Sequence, residues 1–255
     1  MRTYSSREGM DERYFQTVRQ MMESQAYREL AAARLFGHGL QFVPELRWLE
    51  YVAESVHEEV EHLEAVAGIY ERLTGEELLP RVLARLEGRP VGFVGSWFEL
   101  AMAQFLFDRG GFWQLREYEA CSFLPYREIV GKIIGEETEH QGMGEQLVVE
   151  LCRSGEHEAT KQPYFEKWLR EGLLSFGRPG TEGNRYAIGV GIKRRDSGEV
   201  MQDYLTDIKP VVKACGLAFP TPEALGLEMP TWIDWSLDGV KPADAGRWTP
   251  RAERG

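Results

Sequence analysis

The sequence predicts an all-α protein built on a four-helix bundle. Three observations carry this. Apolar residues recur at spacings of three and four along four long stretches. Glycine- and proline-containing breakers separate those stretches. Glu-x-x-His occurs twice on them, as Glu59-Val60-Glu61-His62 and Glu137-Thr138-Glu139-His140. One turn separates Glu from His in each, so both side chains leave the helix on one face. Two such helices, with one Glu from each of two others, make the ligand set of a di-iron or di-manganese carboxylate site in a bundle core.

The first helix is expected over 10–37. Met22, Ala26, Glu29, Ala33 and Phe36 form its inward series, with Glu29 at the centre and Glu23 on another face. The second is expected over 45–75. Leu49, Val52, Val56, Leu63, Val66 and Tyr70 recur regularly except for one gap, which Glu59 fills, and His62 follows one turn on. Glu54 and His57 also read Glu-x-x-His, but they fall off that stripe and read as solvated. The third helix is expected over 91–109, with Gly95, Glu99, Met102 and Leu106 inward. The fourth is expected over 125–153. Tyr126, Val130, Ile133, Glu137, His140, Gly144, Leu147 and Leu151 form its unbroken series, and Glu136 and Glu139 lie off it.

Glu29, Glu59, His62, Glu99, Glu137 and His140 are therefore the candidate metal ligands and catalytic residues. A lone buried charge costs several kcal/mol unless it is paired or metal-bound, roughly. A buried Glu can instead pair with Arg, and a buried His can bond a backbone carbonyl. Spacing favours the cation. Pro44, beside the Gly37-His38-Gly39 breaker, is the midpoint between Glu29 and Glu59. The run from Glu99 to the Gly110-Gly111 breaker nearly matches the run from Pro125 to Glu137. Each antiparallel pair thus brings its carboxylates to one depth. The surplus 112–124 is read as a short extra helix.

The long connection over 76–90, with Gly75, Pro80 and Gly88, suits a ferritin-like bundle with a crossover better than an up-down-up-down one. Tyr164 to Leu174 reads as a fifth helix with Phe165, Trp168 and Leu169 on one side, ended by Gly177-Arg178-Pro179-Gly180. Met201 to Cys215 reads as another. Beyond Pro220 the chain is rich in Pro, Gly and Trp, and Trp232 and Trp235 point to a tail packed on the bundle or on a partner. Arg247 to Gly255 is expected to fray. The domain reading is 1–175 for the ferritin-like di-metal bundle and 176–255 for a C-terminal helical and irregular extension.

Hydrophobic residues make up 43% of the 255, enough for a sizeable core. The net charge of −11 argues against nucleic acid or an anionic membrane as partner. No stretch has the roughly 20 apolar residues of a membrane span, and the N-terminus lacks an apolar signal core. Cys121, Cys152 and Cys215 are odd in number and widely spaced, which suits a reducing cytosol and a cytoplasmic location. No Cys-x-x-Cys is present for an iron–sulfur centre.

Further stretches carry a resemblance. Arg28-Glu29 precedes Glu59 at a family interval. Trp97-Phe98-Glu99 is similar to a Trp-x-Asp followed by a Leu-x-Asp, here Leu106-Phe107-Asp108. Ser122-Phe123-Leu124-Pro125-Tyr126 leads into Glu136-Glu137-Thr138-Glu139-His140-Gln141. Ile192-Lys193-Arg194, with Ser197, Glu199, Gln202 and then Gly216-Leu217-Ala218-Phe219-Pro220, matches a region with no metal role. The chain resembles the phenylacetic acid catabolism family of ferritin-like proteins, and within it the catalytic rather than the scaffold subunits. The resemblance implies a non-haem di-iron centre, O2 activation, and insertion of one oxygen atom into an aromatic or acyl-CoA substrate. It also implies a separate reductase as external electron donor and a homo-oligomeric or paralogous partner subunit. Glu99 stands where the family has Asp. Glu59-Val60-Glu61-His62 replaces Glu-Ala-Gly-His, which makes Glu61 a candidate further ligand.

Carboxylates and imidazoles suit two irons, or a mixed Mn/Fe pair, because they hold hard cations and leave open positions. Phe36, Met102, Phe105 and Ile133 read as apolar neighbours of the site or, for most of them, as plain core packing, and Tyr27 and Gln104 as outer hydrogen-bonding groups. Lys193, Arg194 and Arg195 read either as contacts for CoA phosphates or as a solvated loop. Two rival functions use the same reading: a ferritin-like ferroxidase, and a scaffold subunit of a multicomponent oxygenase.

Overall fold

The computed structural model describes residues 2–88, 90 and 92–243. The fold is all-α and ferritin-like. The helices are α1 (Glu12–Gly39), α2 (Leu46–Thr74), α3 (Leu79–Gly88), α4 (Trp97–Ala103), α5 (Arg109–Leu115), α6 (Leu124–Arg153), α7 (Lys161–Ser175), α8 (Glu182–Gly189) and α9 (Ser197–Ala214). A π-helical turn, Gln104–Asp108, joins α4 to α5. Among the described residues β pairing is limited to an isolated bridge between Tyr4 and Phe123. No described helix is long and apolar enough to cross a membrane. The stretch read as frayed, Arg247 to Gly255, lies outside the described residues.

The chain divides into two compact units, each drawn from separate segments. The first holds Met1–Trp97, Leu115–Glu136 and Arg185–Arg194, and the second Phe98–Gln114, Glu137–Asn184 and Arg195–Gly255. The boundary falls within α6, which runs unbroken through it.

In the first unit α1 packs on α2. Asp11 opens α1 by accepting a hydrogen bond from the Tyr14 amide at 2.8 Å. Gly75 closes α2 in the left-handed conformation, φ 74°, where a side chain would be strained. The shared core includes Tyr14, Val18, Met22, Ala26, Val66, Tyr70, Tyr126, Val130 and Ile133. The buried stripe of α2 is Trp48, Val52, Ser55, Glu59, His62, Val66, Ile69 and Leu73, an unbroken four-three series. Leu49, expected on it, is 39% exposed, because Trp48 one position earlier sets the phase.

The Ile192-Lys193-Arg194 stretch is structural. Gly191 O accepts from the Ser122 amide at 2.8 Å, and the Arg194 amide donates to Glu117 O at 3.2 Å. The Arg194 guanidinium meets Glu119 at 3.2 Å and the buried Glu117 at 3.7 Å.

In the second unit the third sequence helix departs from expectation at both ends. It starts at Trp97 rather than 91, since Gly92 and Gly95 disfavour helix, and Gly95 is exposed rather than inward. It does not stop at Gly110-Gly111, and the stretch read as a separate helix over 112–124 opens as the end of α5 and a 3₁₀ turn. Gly110 is there for close approach. A Cβ on it would lie 3.2 Å from the Gly172 carbonyl of α7, and one on Gly172 would lie 2.8 Å from both Leu106 O and the Tyr204 hydroxyl.

Within the same unit α9 is opened by a capping box of Asp196 and Glu199. Buried Lys209 holds Asp234 of the tail at 2.5 Å. Phe219 packs on Phe165 and on Trp235, both at 5.7 Å between ring centroids. The segment after Pro220 is thus irregular yet fastened to α7 and α9. Helix α8 has no clear signal in the sequence, since it carries two glycines and buries only Ala187.

Candidate metal centre

All six sequence-selected residues are buried: Glu29, Glu59, His62, Glu99, Glu137 and His140 are each at most 4% exposed. The rival pair is not, with His57 at 72% side-chain exposure and Glu54 exposed.

The first unit assembles Glu29, Glu59 and His62, whose ligand atoms lie within 4.8 Å of one another. His62 Nδ1 stands 3.7 Å from Glu29 Oε2. That is too long for a hydrogen bond. It suits two donors on one cation, whose metal bonds are about 2 Å each. The other ring nitrogen, Nε2, donates to Glu136 Oε2 at 2.9 Å. Gln25 donates to Glu29 and accepts from Arg28. Burial works to raise the pKa of Glu29, but the neighbouring His62 and Glu59 groups and the Arg28 charge hold its carboxyl below the ordinary range.

Glu136 lies off the buried stripe, as its phase requires, and it has protein partners there. Its side chain is 14% exposed and lies between His62 and Lys132, the latter at 3.5 Å. Glu61 is the converse. It is 43% exposed, reaches Lys132 at 3.3 Å and His57 at 3.6 Å, and belongs to neither group of metal-competent donors.

The second unit assembles Asp108, Glu137 and His140, again within 4.8 Å of one another. His140 Nδ1 lies 3.6 Å from Asp108 Oδ2 and 3.7 Å from Glu137 Oε2. Asp108 Oδ2 is buried with no hydrogen-bond partner, an acceptor that a cation would satisfy. Asp108 is not among the six residues selected from the sequence. The π turn that carries it inserts a residue into the helix and rotates the residues after it, so helical phase alone does not find it. The Leu106-Phe107-Asp108 motif is the available signal.

Glu99 is placed differently. Lys167 Nζ donates to its Oε1 at 2.5 Å and Trp168 Nε1 donates to the same oxygen at 3.3 Å. It stands outside both metal-competent groups.

Of the outer residues, Gln104 is buried, while Tyr27 is half-buried under the Arg85 guanidinium, 4.7 Å from its ring centroid. Arg195 meets Asp203 at 2.7 Å. With Arg194 on Glu117 and Glu119, two of the three cations read as phosphate contacts are engaged inside their own units.

The donor chemistry fits a non-haem metal: each triad offers two carboxylates and one imidazole. No curated protein matches the chain. The family model of the phenylacetic acid catabolic protein matches residues 35–229, which span both triads save Glu29. Covering more than half of the sequence and both Glu-x-x-His motifs, that match shows that the chain belongs to the phenylacetic acid catabolic protein family.

Proposed function

We propose that the chain is a non-haem di-iron oxygenase that inserts one atom of O2 into an aromatic or hydrophobic substrate. The observation that carries this is the pair of buried carboxylate–histidine triads, Glu29–Glu59–His62 and Asp108–Glu137–His140. We take each triad as a set of residues that would hold one iron. Glu99, the sixth ligand read from the sequence, is kept outside both as the partner of Lys167.

Two bound irons would supply O2 reduction and oxygen transfer. The chain's own residues do the rest. Glu136 fixes the ring and tautomer of His62, so Nδ1 faces Glu29 and would be free to hold a metal with it. The four carboxylates match the charge that two cations bring into a buried site. Phe36 and Ile133 in the first unit, and Met102 and Phe105 in the second, are each at most 1% exposed and share helices with the ligands. Such walls keep water from the reacting centre.

The family belongs to phenylacetate catabolism, so aromatic acyl-CoAs and free aromatic acids are the substrates to try first. An external reductase supplies the electrons, and a second copy or a paralogous subunit completes the assembly. The test is single turnover of chemically reduced, iron-loaded protein under isotopically labelled O2 across a panel of both substrate types. Label in an organic product is expected. Iron oxidation with mineral growth and no labelled product would support the ferroxidase reading instead. Failure to bind iron would support the scaffold reading.

A further inference from the structure

We infer that Cys152 and Cys215 form an intramolecular disulfide when the protein meets a peroxide, fastening the end of α9 to the end of α6. The two residues are distant in sequence but belong to the same unit. Cys152 sits in the last turn of α6, and Cys215 caps the C-terminus of α9. Both thiols are free and buried, at 7% and 4% exposure.

They converge on one point. The Cys215 thiol lies 3.8 Å from the Val148 carbonyl, and Val148 is the residue one helical turn before Cys152. An S–S bond of about 2.05 Å would therefore join the Cys215 sulfur to the next turn of the helix it already touches. The neighbouring Cys215 thiol, aided by the Lys161 charge, holds the Cys152 thiol below its ordinary pKa against the effect of burial. Lys161 is held at the spot by Glu158 at 2.8 Å and by the Cys215 carbonyl at 3.1 Å. Cys152 is thus the attacking sulfur and Cys215 the resolving one.

The chemistry balances with hydrogen peroxide as the oxidant. The Cys152 thiolate attacks one peroxide oxygen, the O–O bond breaks, and hydroxide leaves and is protonated to water. Cys152 is oxidised by two electrons to the sulfenic acid. The Cys215 sulfur then attacks the Cys152 sulfur, the S–O bond breaks, and a second water leaves with the Cys215 proton. Two thiols and one peroxide become one disulfide and two waters. The pair suits a redox-responsive site, since a cytosolic disulfide is usually transient or sensing.

The closed link spans α7, α8 and α9, and the tail that follows Cys215 is anchored through Lys209 and Asp234. Oxidation should therefore restrain the end of α9 and the start of the tail.

The test treats the full chain with equimolar hydrogen peroxide, quenches with catalase, alkylates under denaturing conditions and measures intact mass. Against the untreated chain, two fewer alkyl groups and a further loss of about 2 Da, both reversed by dithiothreitol, are expected. Trypsin cuts at Arg153 and Lys213 place the cysteines on different peptides, and non-reducing mapping should find them joined. Cys121, whose thiol burial pushes up to about 11, is the internal reference and should stay reduced. Cys215→Ser should leave a dimedone-trappable sulfenic acid on Cys152, and Cys152→Ser should leave Cys215 unreacted. Thiols recovered at the untreated level, a link through Cys121, or only intermolecular links would overturn the inference.

Discussion

His62 of α2 and Glu136 of α6 meet at 2.9 Å, Nε2 to Oε2. The contact decides which imidazole nitrogen can face a metal. A histidine ligand commonly donates its second N–H to a carboxylate, which fixes ring orientation and raises basicity. Glu136 has that role while remaining 14% exposed and paired with Lys132. Glu136→Gln is therefore expected to weaken iron binding by about 10–100-fold without unfolding the chain. Competition with a chromogenic chelator measures it. Wild-type affinity in that variant would reduce Glu136 to a surface carboxylate.

Asp108 and Glu99 are the two candidates for one position in the proposed ligand set. Asp108 stands 3.6 Å from His140, whereas Glu99 bonds Lys167 and Trp168. Asp108→Asn keeps the shape and removes the charge, and it should lose about one of two irons per chain, the number that suits a site of this type. Glu99→Gln should keep both. Metal analysis after anaerobic loading and desalting reads the outcome. The reverse pattern would restore Glu99 as the ligand and make Lys167 a partner that iron displaces.

Asp108 and Glu136 mark where sequence reasoning stops. Helical phase places Glu29, Glu59, His62, Glu137 and His140 on buried positions because each lies on an unbroken α-helix, where every fourth or third residue returns to one face. It loses Asp108 because the π turn over Gln104–Asp108 adds a residue that a fixed period does not contain. It misplaces the end of the third helix because Gly110 signals a break locally, while its real constraint is the Gly172 carbonyl on a helix far along the chain. Glu136 falls on the correct face. Its partner is not legible, because a half-buried carboxylate one position off a stripe looks the same in sequence whether it meets water or His62.

The π turn has its own stability test. Gly172 leaves no room for a Cβ, which would lie 2.8 Å from the Leu106 carbonyl, and backbone cannot move aside cheaply. Gly172→Ala should destabilise by about 1–3 kcal/mol through overpacking. Tyr204, fully buried, donates its hydroxyl to the same carbonyl at 3.0 Å. Tyr204→Phe should cost about 0.5–1.5 kcal/mol, the worth of one hydrogen bond, because the Arg109 amide still donates to that carbonyl. Urea unfolding of each variant measures the change. A neutral Gly172→Ala would mean that α7 has room to move away from the π turn.

The two triads set how much metal each variant should lose. If each holds one iron, removing one ligand damages that site alone. Glu137→Ala should therefore leave about one iron per chain from a starting value of about two. His62→Ala should leave about one. His57→Ala, with its side chain 72% exposed, should leave the full complement and is the control for His62. Circular dichroism separates metal loss from unfolding, because a folded variant keeps its helical signal. Should Glu137→Ala and His62→Ala both keep two irons with the fold intact, the triads do not hold the metal, and the di-iron reading of this chain fails.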